Sequence, residues 1–189
     1  MSGEQASPEW KANIWAPWRM EYIESLGGDE GGCFLCGIRD NPADDEKNLL
    51  IWRGRRSFTV LNRFPYTGGH SLIAPLDHVD GLGDIDERTL LEMMAAVRDI
   101  QHALSHAIRA QGFNIGINIG RCAGAGLPGH LHIHVVPRWS GDTNFMPVFG
   151  DVRVIPDSLE KLRDRIRRAC EELGLPKPPG GQTGPDPPR

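Results

Sequence analysis

The chain has 189 residues, of which 39% are hydrophobic and 24% charged, and its net charge is −4. That is the make-up of one globular domain with appendages, long enough to bury a real core. The acidic balance gives no reason to expect a nucleic-acid partner, and no apolar run approaches the roughly 20 residues of a membrane span.

Met1 to about Glu9 is polar, and nothing up to Trp18 forms the long apolar stretch of a secretory signal. Ile14–Ile23 is too aromatic for a free tail and is expected to dock on the core or on a partner subunit. Four cysteines without an export signal point to a reducing cytoplasm. There Cys33-Phe34-Leu35-Cys36 reads as a zinc half-site or a redox pair rather than a structural disulfide.

Five strands are predicted at Leu49–Trp52, Phe58–Asn62, Ser71–Ala74, Phe113–Ile119 and Leu131–Val136, from β-branched and aromatic residues bounded by Gly, Pro or Asn. Between the third and fourth, Leu90, Met93, Met94, Val97, Ile100, Leu104, Ala107 and Ile108 recur at spacings of three and four. This predicts one long helix, started by Asp86 and followed by Gly112, with both methionines as core filler. A second helix is predicted over roughly Ser158–Leu173, capped by Asp157 with Glu160 three residues on. Its Arg163, Arg165, Arg167 and Arg168 read as a solvated face. From Pro176 to Arg189 the chain is rich in Pro and Gly and reads as disordered.

The densest chemistry lies in Gly129-His130-Leu131-His132-Ile133-His134-Val135-Val136-Pro137. Strand residues at i, i+2 and i+4 share one face. On that pattern the three histidines project together, and Leu131, Ile133 and Val135 pack on the other side. The arrangement suits a metal site or a nucleophilic histidine with helpers. Same-face neighbours on one strand are about 6.6–7 Å apart, while zinc ligands sit about 2 Å from the ion, so one strand reaches one metal poorly. Just upstream, Gly116, Gly120, Gly124, Gly126 and Gly129 crowd together. Such a loop lets backbone N–H groups approach phosphate oxygens. Gly124–Gly129 also fits the dinucleotide-binding G-x-G-x-x-G, but that fingerprint must open a helix, and a strand follows here. His102 and His106 stand four apart on the long helix with nothing else pointing to them. Cys122 lies in the glycine loop, and Cys170 on the second helix.

His130-Leu131-His132-Ile133-His134-Val135-Val136 resembles the signature of the histidine triad (HIT) superfamily of nucleotide hydrolases and transferases. Val60–Tyr66 and Gly69–Pro75 resemble that family's nucleoside-side strand pair. Asn118-Ile119-Gly120 and Ala123-Gly124-Ala125-Gly126 resemble its phosphate loop, and Pro137–Phe145 the bacterial diadenosine-tetraphosphate (Ap4A) phosphorylase-like branch. The resemblance implies an α+β fold, a HIT-like antiparallel five-stranded sheet with one long helix and a C-terminal helix. It implies that His132 attacks an α-phosphorus, helped by His134 and His70. It assigns Asn62 to the ribose, and Asn118, Gly124, Ala125, Gly126 and His134 to nucleotide binding. It also implies a structural zinc on Cys33, Cys36, His78 and His130, and a homodimer that joins two sheets. Phosphorylases of that branch carry a serine where this chain has Gly126, which leaves phosphate or water as second nucleophile.

The expected organisation is a docking segment at 1–28, a catalytic domain at 29–150, a strand-and-helix extension at 151–175 and a tail at 176–189. The expected activity is a cytoplasmic nucleotidyl hydrolase or transferase working through a nucleotidyl-histidine. A non-catalytic or slow nucleotide-binding sensor module and a triple-histidine metalloenzyme are the rival readings.

Overall fold

A computed structural model describes residues 32–123, 129–142 and 158–177. The expectations for the segment 1–28, for Gly124, Ala125 and Gly126, and for the tail beyond residue 177 lie outside them. The elements in chain order are α1 (Phe34–Asp40), β1 (Leu50–Arg53), β2 (Ser57–Leu61), β3 (Ser71–Pro75), α2 (Glu87–Ile108), β4 (Gly112–Ile117), β5 (Ile133–Arg138) and α3 (Leu159–Leu173). The strands form one antiparallel sheet in the order β1-β2-β3-β5-β4. This is the α+β architecture expected from the sequence, with each strand displaced from its predicted bounds by one or two residues.

The largest displacement matters for function. The last strand begins at Ile133 rather than at Leu131. His130 and His132 therefore precede the ladder, and only His134 is a strand residue. The expectation that the three histidines share one strand face is corrected: His130 turns to a different set of partners from the other two.

Helix α2 carries the core. The Asp86 carboxylate accepts the N–H groups of Arg88 and Thr89 and so caps it. The helix ends at Arg109, in the left-handed region, and Gly112 opens β4 instead of serving as the stop. Met93, Val97, Ile100 and Leu104 are buried. Met94, expected in the core, is 56% exposed. Adjacent helical residues are about 100° apart, and that step puts Met94 with the exposed Leu91 and Arg98, outside the stripe of Met93, Val97, Ile100 and Leu104. A Cβ on Gly69 would meet Leu104 and Ile108. Odd-numbered residues of β3 thus face α2, and the even-numbered ones, with His70 just ahead of the strand, face away.

Helix α3 packs on α2 and β1 through Leu162, Ile166, Ala169 and Cys170. Its cap is Ser158, whose Oγ accepts the Lys161 N–H; the expected cap, Asp157, lies outside the described residues. Arg163 is not part of a solvated face. It is buried, with its guanidinium against Asp164 and Glu46, because the helix turns that side toward the segment before β1. Past α3, the Lys177 N–H donates to the buried Asp99 carboxylate of α2 at 2.6 Å. The other oxygen of Asp99 accepts from Arg98 Nε at 2.8 Å.

Candidate active site

His132 is 7% exposed and lies two residues past His130. Its Nδ1 is 2.8 Å from the His130 carbonyl oxygen. A carbonyl can only accept, so Nδ1 carries the proton and Nε2 keeps its lone pair. Burial holds this imidazole below its ordinary pKa, with the bond to the carbonyl pulling the other way. The group is therefore neutral at neutral pH and nucleophilic at one defined atom.

A second chain of bonds sets His134. The Tyr66 backbone N–H donates to His70 Nδ1 at 3.2 Å, and Asn62 Nδ2 lies 3.3 Å from the same atom. An amide N–H can only donate, so His70 Nδ1 accepts and its proton sits on Nε2. That Nε2 is 3.0 Å from His134 Nδ1, which must accept in turn. The proton of His134 is thereby placed on its Nε2. The His132 and His134 rings meet edge-on with centroids 4.8 Å apart, so a ring with an open lone pair stands beside a ring that donates. His70 is fully buried, and it reaches the pair through His134.

The third cluster holds His130. Its Nδ1 is 3.2 Å from Cys33 Sγ and 3.5 Å from Cys36 Sγ, and His78 Nδ1 is 3.2 Å from Cys36 Sγ. The His130 Nε2 lies 3.0 Å from the Pro75 carbonyl and donates to it, which leaves the Nδ1 lone pair facing the sulfurs. The four ligand atoms lie within 4.8 Å of one another, and this is the one group among the described residues that could hold a metal ion. Helix α1 supplies both sulfurs because its Cys33 caps it, accepting the Cys36 N–H. Burial pushes the Cys33 thiol up, opposed by that N–H; a bound cation acts in the opposite sense. A Cβ on Gly129 would stand 3.3 Å from His78 Nε2, so glycine there leaves His78 its place.

Asn62 Oδ1 accepts the Phe64 N–H at 2.9 Å, so its amide is turned into its own loop. Asn118 follows β4, and the Ile117–Ile133 pairing carried one residue further sets it beside His132. Cys122 is exposed. His102 is exposed, and His106 meets Glu172 at 2.7 Å on α3. Sequence reasoning missed Tyr66. Its ring stacks on His70 with centroids 4.7 Å apart while its N–H fixes that residue's tautomer. Its position four residues ahead of His70 was the available signal.

Comparison with known proteins follows the same lines. A family model described as the HIT domain matches residues 45–141. An "AP-4-A phosphorylase" of Mycobacterium tuberculosis is 35% identical over 155 residues, covering 79% of this chain and 80% of that one. A "Bis(5'-nucleosyl)-tetraphosphatase [asymmetrical]" of Schizosaccharomyces pombe is 30% identical over 112 residues, covering 59% of this chain and 58% of that one. Among solved structures, a Zn-bound histidine triad family protein from Mycobacterium smegmatis superposes with a TM-score of 0.63 at 31% identity, covering 76% of this chain and 96% of that one.

Proposed function

The chain belongs to the HIT family, and from that premise we propose that it is an enzyme that transfers a nucleotidyl group from a nucleoside polyphosphate of the Ap4A type through a covalent adduct on His132. The observation that carries this reading is the His132 Nδ1–His130 carbonyl bond of 2.8 Å, which leaves Nε2 as the attacking atom. In the first step Nε2 forms a bond to the α-phosphorus, and the P–O bond to the departing polyphosphate breaks. The polyphosphate leaves as an anion and needs no proton. The His130 carbonyl stabilises the positive charge left on the substituted ring. In the second step water or phosphate attacks the phosphorus, the P–N bond breaks and its electron pair returns to Nε2, while the acceptor releases its proton. Two easier displacements replace one hard one.

His134 donates to the phosphoryl group from Nε2, and His70 holds it in that state. Asn118 and the loop at Gly124, Ala125 and Gly126 cradle phosphate. Asn62 supports the ribose side through the loop it closes. Cys33, Cys36, His78 and His130 would hold a zinc ion. Ligands about 2.0–2.3 Å from a tetrahedral ion stand about 3.3–3.8 Å apart, and the observed sulfur–nitrogen separations of 3.2, 3.2 and 3.5 Å suit that cage. Bound there, zinc supplies folding free energy rather than reaction chemistry. The catalytic unit spans 29–150. A homodimer would use β4, which is one of the two sheet edges and carries the exposed Ile115. No helix of the described residues is long and apolar enough to cross a membrane.

The test is intact-protein mass spectrometry after mixing with Ap4A, with and without phosphate. An adenylyl adduct on His132 is the expected result. ADP formed only with phosphate marks a phosphorylase, and AMP formed without it a hydrolase. Turnover with no adduct, in rapid-quench samples as well, overturns the covalent route.

A further inference from the structure

One residue belongs to both clusters. The ring of His130 faces the two sulfurs through Nδ1 and the Pro75 carbonyl through Nε2. Its main-chain carbonyl accepts the Nδ1 proton of His132. We propose that His130 is a positioning residue that couples metal occupancy of the Cys33–Cys36–His78–His130 cluster to the tautomer, and so to the reactivity, of His132. This rests on the reading of His132 as nucleophile.

The coupling follows from where the ladder stops. The pairing of β5 with β3 and β4 begins at Ile133, so no strand hydrogen bond fixes the carbonyl of residue 130. The stretch is held instead by the Leu131 N–H bond to the Val79 carbonyl at 2.6 Å and by the three anchors of His130 itself. A metal on the cluster joins α1, the segment after β3 and residue 130 into one rigid unit. His78 belongs to that same segment, next to Val79. The Leu131 N–H lies in the same peptide plane as the His130 carbonyl, so the direction of that carbonyl is set by the bond to Val79 and by the His130 ring; without metal, the His78–Val79 segment and that ring are joined only through the Cys33 and Cys36 thiols. A His132 that loses this acceptor can place its proton on Nε2, and a protonated Nε2 has no lone pair to offer. Partners that orient a site in this way are typically worth about 10- to 100-fold in activity.

The test uses the full chain with zinc bound and after zinc removal by a chelator, with 15N-labelled histidine. Nitrogen NMR of the nucleotide-free protein reads the His132 tautomer directly. The zinc-loaded protein is expected to show a single species protonated on Nδ1. The zinc-free protein is expected to keep the amide spectrum of the sheet and of α2 while His132 becomes a mixture of tautomers. The rate of adduct formation on His132 is expected to fall at least about tenfold. Cys36→Ser, which lowers metal affinity and leaves the His130 contacts to Cys33 and the Pro75 carbonyl in place, is expected to behave like the zinc-free protein. Cys36→His, which keeps four ligands, is expected to retain both zinc and the tautomer. An unchanged tautomer in folded zinc-free protein overturns the coupling. So does loss of the tautomer in zinc-bound Cys36→His, or collapse of the whole amide spectrum on zinc removal, since metal would then act on folding alone. Absence of the adduct in the zinc-loaded protein would count against the covalent mechanism instead, because the tautomer is read without nucleotide.

Discussion

His70 Nε2 and His134 Nδ1 are 3.0 Å apart, and the two rings are tilted by 42°. The proton between them belongs to His70, because the Tyr66 N–H already occupies the other side of that ring. His70→Gln can still donate from its amide, whereas His70→Ala cannot. His70→Ala is expected to lower kcat by about 10- to 100-fold with a smaller change in KM, and His70→Gln to recover part of the loss. Equal damage from both substitutions would mean that packing, not the donated proton, is what His70 provides.

His132→Ala is expected to abolish adduct formation and reduce turnover by more than about a hundredfold, while nucleotide still binds in equilibrium dialysis. Residual activity above that level would sink the covalent mechanism.

The fold and the family were legible because the relevant signals are local. Clusters of β-branched and aromatic residues bounded by Gly, Pro or Asn marked the five strands, and the stripe from Met93 to Leu104 marked α2. What escaped was anything decided by a boundary or by a distant partner. The start of β5 at Ile133 is set by its pairing with Ile73 and Ile117, which no local pattern reports. The buried Arg163 meets Glu46, more than a hundred positions away in the chain. The role of Tyr66 runs through its backbone N–H, a group that every residue except proline possesses, so its residue type gave no hint.

Zinc analysis is expected to find one ion per chain, lost in Cys33→Ser and Cys36→Ser. Removing it should lower the melting temperature, since binding energy at a structural site is folding energy. Metal retained after loss of both cysteines would move the site elsewhere.

The two remaining cysteines should separate in a thiol-labelling time course. Burial, reinforced by the negative charge of Asp99, pushes the Cys170 thiol up to about 11, whereas Cys122 is exposed. At pH 8 the thiolate fraction of Cys170 is about a thousandth. Maleimide is expected to modify Cys122 first, and the Cys170 rate to climb as pH rises toward 11. Similar rates for the two in native protein would contradict the burial of Cys170.

If a loop hydroxyl helps seat inorganic phosphate, Gly126→Ser should raise phosphate-dependent ADP release from Ap4A and leave phosphate-independent release level. Vigorous phosphorolysis by the unmodified chain would show that the hydroxyl is dispensable.

The bond from the Lys177 amide to Asp99 reaches beyond its own neighbourhood. Asp99 is buried inside α2, and a buried carboxylate stripped of a donor is costly. Any trimming of the chain ahead of Lys177 would remove that donor from the middle of the helix that supports the catalytic sheet. A form of the chain cut ahead of Lys177 is therefore expected to lose stability through one main-chain amide past α3, far in sequence from the histidines of the candidate site.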